Sequence, residues 1–177
     1  DAESFKVAEH DSYIRSYPEF IKYFDEKDSI NVHDFIISSH FVYGWMPTIL
    51  TLKLEQPEQV LALLNTAKKG TLLTAQELGL LKSCINNSMV GLSKLLHFIN
   101  PEIYAIWDSK VFKYITCKKS SYGIDKPNSY LDYLEALKAL MNHPDFDPLF
   151  AKIQAKFSYP ISPIRAIEIV IFQASSY

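Results

Sequence analysis

An all-α fold is what this sequence predicts, on three observations. Glycine is scarce, five in 177 residues, which suits helices better than a loop-rich β fold. Apolar residues return at helical spacing within segments that open on Ser, Thr, Asp or Pro and close on Gly, Asn or Pro. Strand-like alternation is weak, and only 49–54 and 167–171 are β-compatible. Together these predict about eight to ten helices in a single compact multi-helix domain over residues 1–177.

The first 28 residues read as an N-terminal helical extension broken in the middle. Asp11-Ser12 caps one helix, and Pro18 starts the next turn. From 29 to about 43 the apolar residues Ile30, Val32, Phe35, Ile36, Ile37, Phe41 and Val42 are too dense for a surface helix. This segment is therefore expected to be buried, ending near Gly44 and Pro47. Pro57 opens a helix to about 68, with Val60, Leu61, Leu63 and Leu64 inward and Gly70 as its stop. Thr74-Ala75-Gln76-Glu77 is a capping-box pattern that starts a helix to 85. A polar turn, a helix over 93–100 and a short helix over 109–117 complete a hairpin element within 74–117. Residues 118–129 read as a loop. The C-terminal helices, within 129–177, begin with Ser129 capping a helix to about 141 on the stripe Leu131, Leu134, Leu137 and Leu140. Pro144, Pro148 and Pro160 punctuate the rest of the chain, and Ser162-Pro163 opens a last helix to 172.

Hydrophobic residues make up 48% of the chain and aromatics 14%, enough to build a core and to set disorder aside. A net charge of −2 argues against a protein that coats nucleic acid non-specifically, while leaving room for a local basic face. Cys84 and Cys117 lie 33 residues apart with no CxxC partner, which favours reduced thiols over a disulfide scaffold. No apolar run approaches the roughly 20 residues that span a bilayer. The start, Asp1-Ala2-Glu3-Ser4, has no signal-peptide pattern. The expectation is a cytoplasmic protein without a membrane partner.

The most informative stretch is Asn86-Asn87-Ser88-Met89-Val90-Gly91-Leu92-Ser93-Lys94-Leu95-Leu96-His97-Phe98, leading on to Ala105-Ile106-Trp107-Asp108. Glycine at a helix entrance allows close approach of the backbone, and the first amides of a helix point outward unpaired. Such an opening favours an anion, phosphate among them. Asp108 comes seventeen residues after Gly91, against an aromatic-rich wall.

This stretch resembles the helix-hairpin-helix of the DNA glycosylase superfamily, and the run from Gly91 to Phe98 is most similar to the archaeal-type 8-oxoguanine glycosylases. The similarity covers about one fifth of the chain. The resemblance implies that Gly91 presents amides to a DNA phosphate and that Asp108 is the catalytic carboxylate. Two positions depart from the family pattern. Met89 stands where the first hairpin glycine would be, and Ser93 falls on the position of the Schiff-base lysine. Lys94 comes one residue late, a rotation of about 100° on a helix. The expectation is therefore a monofunctional enzyme resting on Asp108 rather than a lyase, with Lys94 as a second catalytic candidate.

The chemistry fits this residue set. Departure of a base leaves positive charge on the sugar, which a carboxylate steadies. The base must first leave the stack for a pocket, for which Phe41, Tyr43, Trp45, His97 and Trp107 are the candidates. Five lysines against two acids make 94–119 net +3, and Gly91, Ser93, Lys110 and Lys113 are the expected nucleic-acid contacts. Asp108-Ser109 also reads as an ordinary helix cap, and core is the default reading of the aromatics.

No metal and no cofactor are predicted: His33 and His40 share a helix face but lie about 10 Å apart along it. Arg165, one of two arginines, sits near a helix start where a cation opposes the dipole, which points to an acidic partner such as Glu168 or to a phosphate. The leading expectation is a DNA-binding, glycosylase-like protein acting through Asp108. The alternatives are a DNA binder without catalysis and a non-catalytic helical domain of immunity or adaptor type that takes a basic protein partner.

Overall fold

A computed structural model describes residues 11–175, so the part of the expected N-terminal extension before Asp11 lies outside the described residues. Those residues form nine helices and no strands. The β-compatible run at 49–54 makes a single antiparallel bridge, Leu52 to Ile85, and 167–171 lies within a helix.

Helix α1 (Ser12–Asp25) starts where Asp11 accepts from the Tyr13 amide, but it does not break at Pro18. Proline removes the N–H that would bond the Ile14 carbonyl. That carbonyl instead accepts from the Tyr159 hydroxyl at 3.0 Å, so the helix continues. Helix α2 (Val32–Trp45) opens on a capping box between Asn31 and Asp34. Helices α3 (Pro57–Lys68) and α4 (Ala75–Cys84) begin at Pro57 and the Thr74–Glu77 capping box, as their sequences predict.

The next helix begins four residues earlier than its sequence predicts. Asn86 and Asn87, rather than a glycine, take the left-handed conformation, at φ 54° and 50°. Ser88 then caps α5 (Met89–Ile99), which places Gly91 inside its first turn. Asn86 also ties the turn to 49–51 through its side chain. Helix α6 (Ser109–Thr116) starts directly after its Asp108 cap. Helix α7 (Pro127–Met141) starts at Pro127 rather than after Ser129, and α8 (Phe146–Gln154) and α9 (Pro163–Ala174) complete the set.

Helix α5 is the hub. Every residue on it is buried except Val90 and Lys94, because α1, α2, α3 and α4 all pack around it. Helices α6, α7 and α8 gather instead on α9. One continuous apolar cluster runs through both groups. Between α5 and α6 the chain passes through this core outside any helix, and that passage delivers Asp108.

Candidate active site

Residues 104–107 are buried with no helix or sheet to satisfy their backbone, so each carbonyl needs a partner. Four side chains supply them. His97 bonds the Tyr104 carbonyl at 2.6 Å, Tyr130 that of Ala105 at 2.8 Å, and Tyr133 that of Ile106 at 3.5 Å. The Ser93 hydroxyl accepts from the Trp107 amide at 3.0 Å, with the Val90 and Trp107 carbonyls within reach of its one proton. The segment is thereby clamped to α5 and α7.

A carbonyl only accepts, so His97 donates from Nδ1 and its Nε2 accepts from the Tyr17 hydroxyl at 2.8 Å. Complete burial, helped by the Arg165 charge, pushes its pKa down to about 3, which keeps the ring neutral.

Asp108 emerges from this clamp at the edge of a cavity of about 460 Å³. Its Oδ1 accepts from the Lys110 and Val111 amides at 2.9 and 3.0 Å, and Oδ2 makes no hydrogen bond among the described residues. Asp108 is thus both a helix cap and a cavity-lining acid. Lys94 lines the same cavity from α5, with its Nζ 5.7 Å from the centre of the Trp45 ring. Burial holds the Lys94 amine below the usual lysine range, with the charge of Arg165 adding to the effect and those of Asp108 and Glu168 opposing it.

Arg165 and Glu168 line the cavity from α9, paired through Nη1 and Oε2, so the acidic partner expected for Arg165 is Glu168. Their side chains are 8% and 2% exposed. Burial pushes the Glu168 carboxyl above the usual carboxylate range, against the pull of Arg165. The remaining wall is mainly apolar and includes Ile14, Ile106, Ile169 and Phe172.

Several expected positions fall elsewhere. Lys94 is inside the cavity despite its one-residue offset, because Ser93 takes the core-facing position that holds Trp107. Ser93 is fully buried and has no surface to offer a nucleic acid. Gly91 is buried too, its amide bonded to Ser88 Oγ at 3.3 Å, while the Met89 amide is taken by Asp125 Oδ1 at 2.9 Å. A carboxylate of this chain therefore occupies the helix start where the resemblance implies a phosphate, and both Gly91 and Ser93 leave the set of nucleic-acid contacts.

Of the five expected pocket residues only Trp45 lines the cavity. The Tyr43 phenol packs directly against Gly91, and its hydroxyl donates to the Ile85 carbonyl. Phe41 stacks on Phe20 at 4.4 Å. Trp107 is buried, with Nε1 donating to the Ile124 carbonyl, and His97 serves the clamp. Lys113 is exposed on α6, and Lys110 lies over the ring of Phe172 at 4.5 Å.

Asp11, Tyr13 and Phe172 also line the cavity, with no signal in the sequence to mark them, and Glu168 is expected there only as a partner of Arg165. The oddly placed Arg165 is the one available signal for the α9 wall. Among the described residues no group of three His, Cys, Asp or Glu could hold a metal, and no helix is long and apolar enough to cross a membrane. Both cysteines are free, Cys84 buried and Cys117 exposed.

No family model matches the chain, and no characterised protein or solved structure matches it.

Proposed function

We propose that the cavity is the reaction chamber of a glycosylase-like enzyme that cleaves the N-glycosidic bond of a nucleotide in DNA. The observation that carries the reading is the convergence of Lys94 and Asp108 on one walled cavity. A partly desolvated amine and a carboxylate with one uncommitted oxygen are what the reaction needs. In this reading Asp108 steadies the positive charge that develops on the sugar as the base departs. This departs from the monofunctional expectation, because Lys94 reaches the cavity that Asp108 lines. Its free amine forms a bond to C1′ and gives up a proton as the glycosidic bond breaks, and the base leaves with the electron pair and takes up a proton. The cavity falls within the roughly 300–1,000 Å³ range of small-ligand sites and has room for an extruded base beside Trp45.

The backbone contacts expected of the hairpin turn are occupied internally, so the phosphate-facing role passes to side chains. Lys113, Lys118 and Lys119 are exposed in and just beyond α6, the helix that Asp108 caps.

Duplexes carrying uracil, 8-oxoguanine, an alkylated purine or an abasic site, treated afterwards with hot alkali, test the reading. Base release from at least one duplex is expected, with a loss of about a hundredfold or more in Asp108→Asn. No release and no binding of any duplex at low salt would overturn it.

A second reading has its own observation. A groove of about 940 Å³ lies between the start of α4 and α7, with Leu72, Ile103, Leu131 and Leu134 in its wall and three acids, Glu102, Asp132 and Glu135, against one base, Lys138. Its apolar floor and largely acidic rim would suit a basic amphipathic helix of a protein partner.

A further inference from the structure

We propose that the Arg165–Glu168 pair is the edge-reading element of the cavity, selecting a planar nucleobase that presents an N–H donor beside an acceptor on the edge remote from its glycosidic nitrogen. The inference rests on the cavity being a base pocket and adds what the pocket reads.

The pair is more than a structural ion pair. A buried guanidinium and carboxylate are costly to keep unless their remaining hydrogen-bonding groups find partners. Arg165 carries five N–H donors, and among the described residues only Nη1 is engaged, with Glu168 Oε2. Oε1 of Glu168 has no hydrogen bond among them either. The pair is at least nine-tenths buried, and both residues line the cavity that holds Lys94 and Asp108. Uncommitted donors and an uncommitted acceptor therefore sit side by side at the chamber wall.

Their geometry is fixed from behind. The guanidinium carbon lies 4.8 Å from the centre of the Tyr17 ring, and the Tyr17 hydroxyl is held by His97. The Ser162 cap and the first turn of α9 set the backbone of Arg165. A rigid planar donor array beside a carboxylate oxygen matches the flat edge of a heterocycle. Glu168 accepts the ring or exocyclic N–H, and Arg165 donates to the neighbouring carbonyl oxygen or ring nitrogen. Capping that N–H with a methyl group leaves the buried carboxylate facing carbon, a mismatch to which such sites are very sensitive.

The test uses the unaltered protein and small soluble bases whose glycosidic nitrogen is methylated. The chain has two tryptophans, so its indole N–H signals in a 15N-labelled sample give a local probe and an internal control. Trp45 lines the cavity, and Trp107 is bonded to Ile124 in the core. Titration with 1-methyluracil or 9-methylhypoxanthine is expected to shift the Trp45 signal and leave that of Trp107 in place. Their N-methylated counterparts, 1,3-dimethyluracil and 1,9-dimethylhypoxanthine, are expected to bind at least about tenfold more weakly. Glu168→Gln, checked for a cooperative thermal melt, is expected to shrink that preference.

Equal binding of capped and uncapped bases, an undiminished preference in Glu168→Gln, or no shift with either pair would overturn the inference. Base release from duplexes alongside equal binding removes only this inference and leaves the proposed activity standing. Selective binding without base release removes the activity and leaves the reading element.

Discussion

Gly91 has a sign that separates packing from turn geometry. Replacing a glycine inside a helix by alanine ordinarily stabilises by up to about 1 kcal/mol. Here an added Cβ would lie within 2.8 Å of three atoms of the Tyr43 phenol, which is buried and hydrogen-bonded and has little room to move. Gly91→Ala is expected to lower stability by about 1–3 kcal/mol, read by chemical denaturation. A neutral or stabilising result would mean that α2 and α5 approach less closely.

His97 adds a pH dependence of definite sign. Its folded pKa, about 3, lies below the ordinary histidine value of 6.5, so the unfolded chain binds a proton that the folded one does not. Stability from this residue is complete above about 6.5 and is lost as pH falls toward 3. The slope approaches about 1.4 kcal/mol per pH unit within that window. Thermal melts over the window should fall less steeply for His97→Gln than for the unaltered protein, and parallel curves would contradict the assignment.

At the scale of elements, the caps and most helix bounds are legible in the sequence because they are local chemistry. Thr74 with Glu77, Ser162-Pro163 and Pro57 all begin helices where their side chains or rings predict. The failures have tertiary causes. Pro18 reads as a break because its missing N–H is visible, whereas the hydroxyl that replaces it belongs to Tyr159, 145 residues beyond the Ile14 carbonyl it serves. Tyr159→Phe is expected to cost about 0.5–1.5 kcal/mol. The cost should shrink in a Pro18→Ala background, where the restored amide can bond Ile14. An unchanged cost in that double-mutant cycle would contradict this account of α1. The α5 start fails likewise: two asparagines take the left-handed positions, and Asp125 takes an amide that the sequence alone offers to a ligand.

At the scale of the whole molecule, the all-helical architecture is legible in the sequence, which also singles out Asp108 and Lys94, both found on the cavity. The pocket wall is not. Phe41, Tyr43, His97 and Trp107 have the composition of a base pocket, yet each serves the core. Aromatic residues near a motif do not reveal which way they face. The α9 wall lies far beyond Asp108 in the chain, and only the anomalous arginine hints at it. What unites the fold is the clamp on 104–107, where side chains of α5 and α7 bond three carbonyls and the Trp107 amide and so fix where Asp108 stands. The fold then places Lys94 and Asp108 on one cavity, and in the proposed reaction the two act on one sugar.

Borohydride trapping on a duplex containing an abasic site reads out that shared action on the sugar, because reduction makes an amine–sugar imine permanent. A covalent protein–DNA adduct is expected with the unaltered chain and should be lost in Lys94→Gln. No adduct, or one that persists undiminished in Lys94→Gln, would contradict the account.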